Sequence, residues 1–223
     1  MSENVHKKIY ILGAGAMARE VFSIYKDLGK SDMIFGFIEE NCRRKGVKIY
    51  GKPIYDSSII GDLAIDETLL ICAIGSPKRK RWVNELENRG FNFDTVIHPT
   101  ASIGLSVNIG TGCIICQNVV LTCDIEIGKH TIVNVGSTIS HDCRIGNFVT
   151  ISPGVNIGGR VIIEEECFIG IGAKIKNDVK IGKGCFIGAG AVVVDDIPKN
   201  TLAIGVPAKP IKKLTDEDWK RII

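Results

Sequence analysis

Residues 139–175 read ISHDCRIGNFVTISPGVNIGGRVIIEEECFIGIGAKI, and an aliphatic side chain returns at every sixth position: Ile139, Ile145, Ile151, Ile157, Ile163, Ile169 and Ile175. The same step continues back through Val133, Ile127, Leu121, Ile115 and Ile109 to Ile103, and forward through Ile181 and Ile187 to Val193. That makes sixteen consecutive positions with no residue inserted or deleted. A helix with a period of 3.6 cannot produce this pattern. A period of six is the signature of a hexapeptide-repeat parallel β-helix of the left-handed type, in which each short strand buries one aliphatic side chain and stacks on the coil below at ~4.8 Å. Three hexads close a triangular coil, so the run predicts about five coils.

Two further features share the register. Glycine follows the aliphatic residue at Gly104, Gly110, Gly128, Gly146, Gly158, Gly170, Gly182 and Gly188. Four residues past the aliphatic position the side chains are small or β-branched (Val119, Thr131, Ser137, Val149, Val161, Ala173), as the inside of a narrow prism requires. Cys113, Cys143, Cys167 and Cys185 fall in this second inward register and read as small apolar filler. Cys113 and Cys116 form a C-x-x-C, but Cys116 is expected beside a turn and no second ligand pair follows at zinc spacing, so no metal is expected.

Upstream, residues 8–12 (KIYIL) read as a strand running into GAGAMA, and Arg19–Lys30 carries helical apolar spacing. Gly13 and Gly15 allow a phosphate to approach a helix N-terminus, Ala18 fills the third small position, and Glu39 or Glu40 ends the next strand. Phe35–Ile38 and Thr68–Ile74 read as further strands and Lys78–Arg89 as a helix. About 90 residues supply half of a full dinucleotide fold, so a nucleotide-linked ligand suits the space better than a dinucleotide. The expected organisation is therefore an α/β Rossmann-like half-domain (residues 1–97), the β-helix (98–197), and a C-terminal cap with a short helix (198–223) that opens on Thr215 with Asp216, Glu217 and Asp218 in its first turn.

The formal charge of +3 over 223 residues is spread without a dense basic run, which points away from nucleic acid and membrane surfaces. Lys209, Lys212 and Lys213 read either as a solvated face or as phosphate contacts. No segment has the length and apolarity of a membrane span or a signal peptide, so the expected location is the cytoplasm, where the eight cysteines stay reduced.

The histidines are His6 near the start, His98 before Pro99, and His130 and His141 within the repeat. His141 and Asp142 fall at a corner of the prism with side chains outward, and imidazole is the side chain best matched to general-base work at neutral pH, with an adjacent acid to hold its tautomer. They also read as polar turn residues. Gly159, eighteen residues on, offers a backbone N–H to an oxyanion or serves a tight turn.

The sequence resembles a family of two-domain bacterial sugar acetyltransferases, which groups sialic acid O-acetyltransferases with N-acetyltransferases of nucleotide-linked 4-amino-4,6-dideoxy sugars. Carrying the resemblance are IYILGAGAMAREV, GFIEEN, AIGSPKRKR, VIHPTASIG, NVGSTISHDCRIG, VTISPGVNIGG, IGAGAVVVDDIPKN and GVPAKP, in order and spacing over nearly the whole chain. The resemblance implies a homotrimer using acetyl-CoA in the groove between adjacent prisms. It assigns the catalytic role to His141 and Asp142, active-site support to Asn134, the acetyl thioester contact to the Gly159 amide, and the CoA arm to Ile171, Gly172, Ala189 and Gly190. Gly13, Gly15, Glu39 and Gly75 match the nucleotide-sugar pocket. Two departures stand out: Ala16 and Met17 replace a common Gly-His, and Thr150 replaces a second His of some members.

The expected function is N-acetylation of a nucleotide-linked amino sugar for surface-glycan synthesis, with O-acetylation of a sialic-acid-like sugar as the alternative. Two rivals belong to other classes. A β-helix carbonic anhydrase needs three zinc histidines in register, and the separations of 32 and 11 residues among His98, His130 and His141 are not whole coils. A non-catalytic sugar-binding scaffold would have no use for His141.

Overall fold

The computed structural model describes residues 7–42, 44 and 46–222, with side chains as far as Trp219. His6 and Ile223 lie outside the described residues. The chain divides into two compact units, Met1–Gly75 with Arg79–Val96, and Ser76–Lys78 with Ile97–Ile223.

In the first unit, apolar strand residues pair into one Rossmann-like sheet. Its strands are β1 (Lys8–Leu12), β2 (Ile34–Glu39), β3 (Lys48–Ile49), β4 (Lys52–Asp56), β5 (Thr68–Cys72) and β6 (Asn92–Phe93), in the order β3-β4-β2-β1-β5-β6. All neighbours are parallel except the β3–β4 hairpin. Helix α1 (Ala16–Asp27) buries Ala18, Val21, Phe22, Ile24 and Tyr25, and α2 (Lys80–Asn88) buries Trp82, Val83 and Leu86. A fully buried aliphatic side chain contributes on the order of 1.5–3 kcal/mol. Three expectations shift. Helix α1 starts at Ala16, directly after Gly15, so Met17 and Ala18 are helical; β5 ends at Cys72, freeing Ala73–Gly75 as a loop; and α2 follows a 3₁₀ turn over Pro77–Arg79.

In the second unit the hexads form a parallel β-helix with three faces. The first face stacks Ile114–Ile115, Ile132–Val133, Thr150–Ile151, Phe168–Ile169 and Phe186–Ile187. The second runs from Ser102–Ile103 through Thr138–Ile139 to Val192–Val193, and the third from Val107–Ile109 through Arg144–Ile145 to Lys180–Ile181. Strands of successive coils pair eighteen residues apart, as in Ile145↔Ile163 and Ile151↔Ile169. From Ile115 to Val193 every ladder residue is buried, whereas Ile103 stays 37% exposed at the open end.

The corners have their own rule. The third residue past each aliphatic position, from Ser106 to Gly190 in steps of six, has a φ between 54° and 77° at all fifteen turns. The glycines directly after the aliphatic residues do not take that conformation. They are small because coils approach closely: a Cβ on Gly158 would lie 2.6 Å from the amide nitrogen of Asn177. Gly158 thus serves close backbone stacking and does not take the left-handed turn conformation.

The second inward register is buried and partly hydrogen-bonded. Cys113, Cys143 and Cys167 donate their thiols to the carbonyls of Gly128, Gly158 and Gly182, each at 3.1 Å, and Thr131 donates to Gly146 at 2.8 Å. Cys116 lies beside the turn at Gln117 and Asn118, as expected, and is buried at 2% exposure, with its thiol 3.9 Å from Asn134 Oδ1. Beyond the last coil, Thr201–Gly205 pairs in parallel with Phe186–Ile187 and folds back antiparallel on Ala208–Lys213. Helix α3 (Asp216–Ile222) follows, with Asp218 accepting the backbone N–H of Thr215 at 2.9 Å. No helix among the described residues is long and apolar enough to cross a membrane.

Candidate active site

At the corner between the second and third faces, four coils stack Cys123–Asp124, His141–Asp142, Gly159–Arg160 and Asn177–Asp178. The amide of each coil's third corner residue bonds to the carbonyl below: Asp142 N–H to Cys123, Arg160 N–H to His141 and Asp178 N–H to Gly159, at 3.2, 2.8 and 3.0 Å. His141 sits at the second corner position, with its side chain 47% exposed. Its Nδ1 lies 2.7 Å from Asp142 Oδ2. Since an ionised carboxylate only accepts, this contact places the proton on Nδ1 and turns Nε2 outward as the proton acceptor.

Gly159 is required by that ring. A Cβ there would stand 2.6 Å from His141 Cε1 and Nε2. The coil-to-coil ladder uses the neighbouring amides, Gly158 N–H to Ile175 and Arg160 N–H to His141, and among the described residues it passes over the Gly159 amide. The carbonyl of Gly158 is itself pinned by the Cys143 thiol from inside the prism. A rigid N–H beside an exposed imidazole can stabilise the oxyanion that forms when a carbonyl is attacked. Cys123, one coil below, is not a competing nucleophile: desolvation, then the Asp124 and Asp142 carboxylates, push its thiol up, so thiolate is scarce at neutral pH.

Asn134, Ile171, Gly172, Ala189 and Gly190 stand at a different corner, between the first and second faces. Asn134 is spent within the stack, donating Nδ2–H to the Ile151 carbonyl at 3.0 Å. Ile171 is 62% exposed, and no atom lies within 4 Å of a Cβ on Gly172 or Gly190, so this corner is an open, apolar-edged ridge. Within one chain the second face therefore separates it from His141. Thr150 is buried on the first face, where it pairs with Ile132.

Among the described residues, the other two histidines are buried. His130 is 1% exposed and stacks on Phe148 at 5.0 Å, and His98 is buried with Nδ1 2.9 Å from Thr100 Oγ1. His130 has the corner φ of 55°, and its ring packs on Phe148 at the same corner of the next coil. Among the described residues no three His, Cys, Asp or Glu side chains converge as a metal site. Lys209 pairs with Asp195 and Lys212 with Asp218, each exposed, which favours the solvated-face reading for these two.

In the first unit, Gly13, Glu39 and Gly75 come together at the carboxyl ends of β1, β2 and β5, with Gly15 capping α1. The chain reverses direction across the sheet between β1 and β5, the switch point where open α/β sheets bind ligands. Gly13, at φ 98°, donates to the Ile38 carbonyl at 2.7 Å, and a Cβ on it would meet Ala73 and Ile74 at 3.3 Å. Sequence reasoning missed two arginines here. Arg44 ion-pairs with Glu39 and donates to the Ala14 carbonyl at 3.0 Å, crossing the mouth of the site. Arg79, 3% exposed, reaches the carbonyls of Ile74 and Gly75 at 3.4 Å and braces the loop after β5.

A PglD N-terminal domain profile matches residues 8–86, and a bacterial transferase hexapeptide profile of six repeats matches residues 160–195. Among solved structures, the chain is similar to a histidine-to-asparagine variant of perosamine N-acetyltransferase from Caulobacter crescentus in complex with CoA and GDP-perosamine: 30% identity, 92% of this chain and 97% of that chain covered, TM-score 0.86. It is also similar to the acetyltransferase domain of PglB from Neisseria gonorrhoeae FA1090 (31% identity, 92% and 100% covered, TM-score 0.83). WeeI from Acinetobacter baumannii AYE gives 31% identity, the same coverage and a TM-score of 0.85. No curated protein sequence matches the chain.

Proposed function

The chain belongs to the acetyltransferases that join a PglD-type N-terminal domain to a hexapeptide-repeat β-helix, and we propose from this premise a mechanism for acetyl transfer from acetyl-CoA to the amino group of a nucleotide-linked amino sugar. The observation that carries the mechanism is the His141–Asp142 contact of 2.7 Å with Gly159 against the ring.

His141 Nε2 removes a proton from the sugar's amine as its nitrogen forms a bond to the thioester carbonyl carbon. Asp142 stabilises the imidazolium so formed, and the Gly159 amide donates to the oxyanion. Collapse of the tetrahedral intermediate breaks the C–S bond, and the imidazolium returns its proton to the departing CoA thiolate. In the first unit, Gly13, Gly15, Glu39 and Gly75 hold the nucleotide part at the strand ends, and the amino sugar is of the 4-amino-4,6-dideoxy type used in surface glycans.

The separation of His141 from Ile171, Gly172, Ala189 and Gly190 on one chain supports a site shared between copies, with the second corner of one prism facing the first corner of its neighbour in a homotrimer. Asn134, at that first corner, then belongs to the same shared groove. Eight free thiols and an acetyl-CoA co-substrate support a cytoplasmic enzyme.

Acetyl transfer from labelled acetyl-CoA to a panel of 4-amino nucleotide sugars and free sialic acids tests the substrate. N-acetylated nucleotide sugar is the expected product, and activity on sialic acids alone would replace this reading by O-acetylation.

A further inference from the structure

The corner of His141 carries a charge column of which the mechanism above uses only Asp142. Asp124, Asp142, Arg160 and Asp178 occupy the same corner position in successive coils, each at a φ between 54° and 64°. Arg160 thus lies one coil above Asp142 and one coil below Asp178. Its guanidinium goes upward: Nε–H donates to Asp178 Oδ1 at 2.6 Å and Nη2–H to Oδ2 at 2.9 Å. Asn177 adds a third bond, Nδ2–H to Asp178 Oδ2 at 2.7 Å, fixing the carboxylate that receives the fork. Asp142 is left to accept from His141.

From this arrangement we propose that Asp178, held by Asn177, is a positioning residue: it keeps the Arg160 fork off Asp142, so that Asp142 remains the partner of His141 Nδ1. The physical reason is competition. An arginine between two carboxylates at ~4.8 Å coil spacing can fork onto either, and a bidentate guanidinium outcompetes a single neutral imidazole N–H for an acid. Were Arg160 to turn down, Asp142 would lose its grip on Nδ1–H, the ring would be free to adopt the Nε2–H tautomer, and the nitrogen that must accept the amine proton would already be protonated. The two partners' own titrations are consistent with the upward fork: Asp178 is held below the usual carboxylate range chiefly by its bonds to Arg160, and Arg160 is raised chiefly by the same bonds.

The other charged or titratable groups around the ring do not supply this function. Cys123 and Asp124 lie in the coil below, Cys143 is turned inward onto the Gly158 carbonyl, Arg144 faces Glu126 on the third face at 3.6 Å, and Lys176 stands beside Asp178. Arg160 is the cation with a fork within reach of both acids.

The consequence for rate rests on His141 being the base, so the test reads the ring directly as well as turnover. In full-length protein labelled with ¹⁵N-histidine, the His141 signals are identified by their loss in His141→Asn. Wild type should show the Nδ1–H tautomer, Asp178→Asn the Nε2–H tautomer, and Asp178→Asn with Arg160→Met the Nδ1–H tautomer again. In parallel, kcat should fall roughly tenfold in Asp178→Asn and recover in the double variant, with KM for acetyl-CoA unchanged. Retention of Nδ1–H in Asp178→Asn, or failure of Arg160→Met to restore it, overturns the proposal. A tautomer switch with unchanged kcat supports the Asp178 role and instead sinks His141 as the base.

Discussion

Two histidines eleven residues apart, on adjacent corners of one prism, have opposite fates. His130 takes the third corner position, is 1% exposed, and lies flat on Phe148 with an interplanar angle of 13°. His141 takes the second position, is half exposed, and meets Asp142 in its own coil and Gly159 in the next. The turn itself repeats, with a φ of 55° at His130 and 60° at Asp142, but His141 stands one position earlier in it than His130 does. The position within the turn and the residue eighteen places on set the outcome together. An aromatic ring there turns a histidine into packing, and a glycine leaves it room to work.

That contrast can be broken from either side. Phe148→Ala removes the platform under His130 and should cost about 3 kcal/mol in denaturant unfolding, with kcat per folded molecule unchanged. Gly159→Ala should do the reverse. Its Cβ drives the His141 ring from its place, and a misplacement of that size costs roughly 10²-fold in kcat, while the exposed ring yields without a change in unfolding midpoint. Asp142→Asn keeps a residue tolerant of the left-handed corner but removes the charge behind Nδ1, so kcat should fall about tenfold at constant stability.

The smallest effect lies at α3, away from both corners. Lys212, then Thr215, hold the Asp218 carboxyl down to about 2. Its stabilisation of the helix start is complete above the unfolded value of about 3.9 and is lost as pH falls through about 2. The fluorescence of Trp219, 5.9 Å from Phe186, should report that change.

The six-residue ladder was legible because every coil must bury one aliphatic side chain, and the sequence repeats that demand without a gap. The corner conformation was not, because Asn, Asp, His, Phe, Arg and Glu all occupy it alongside glycine. The burial of His130 and Cys116 was not legible, because their stacking partners come from the next coil and eighteen residues of separation leave no local signal. The β3–β4 hairpin was missed because Tyr50 takes the first positive φ of its turn, a place where Asn or Gly is the usual cue. Arg44 and Arg79 were not singled out, since the carbonyls of Ala14, Ile74 and Gly75 that they reach are not announced by any residue type. The corner pair itself was readable, as position in the register alone put His141 and Asp142 outward below Gly159.

Steady-state acetyl transfer to a 4-amino nucleotide sugar by His141→Asn, checked for native unfolding behaviour, tests the central claim most directly. The account predicts a fall in kcat of about 10²–10⁴ with KM for acetyl-CoA unchanged, because the base is lost and the binding surface is not. Turnover within about threefold of wild type in a folded His141→Asn protein would contradict it.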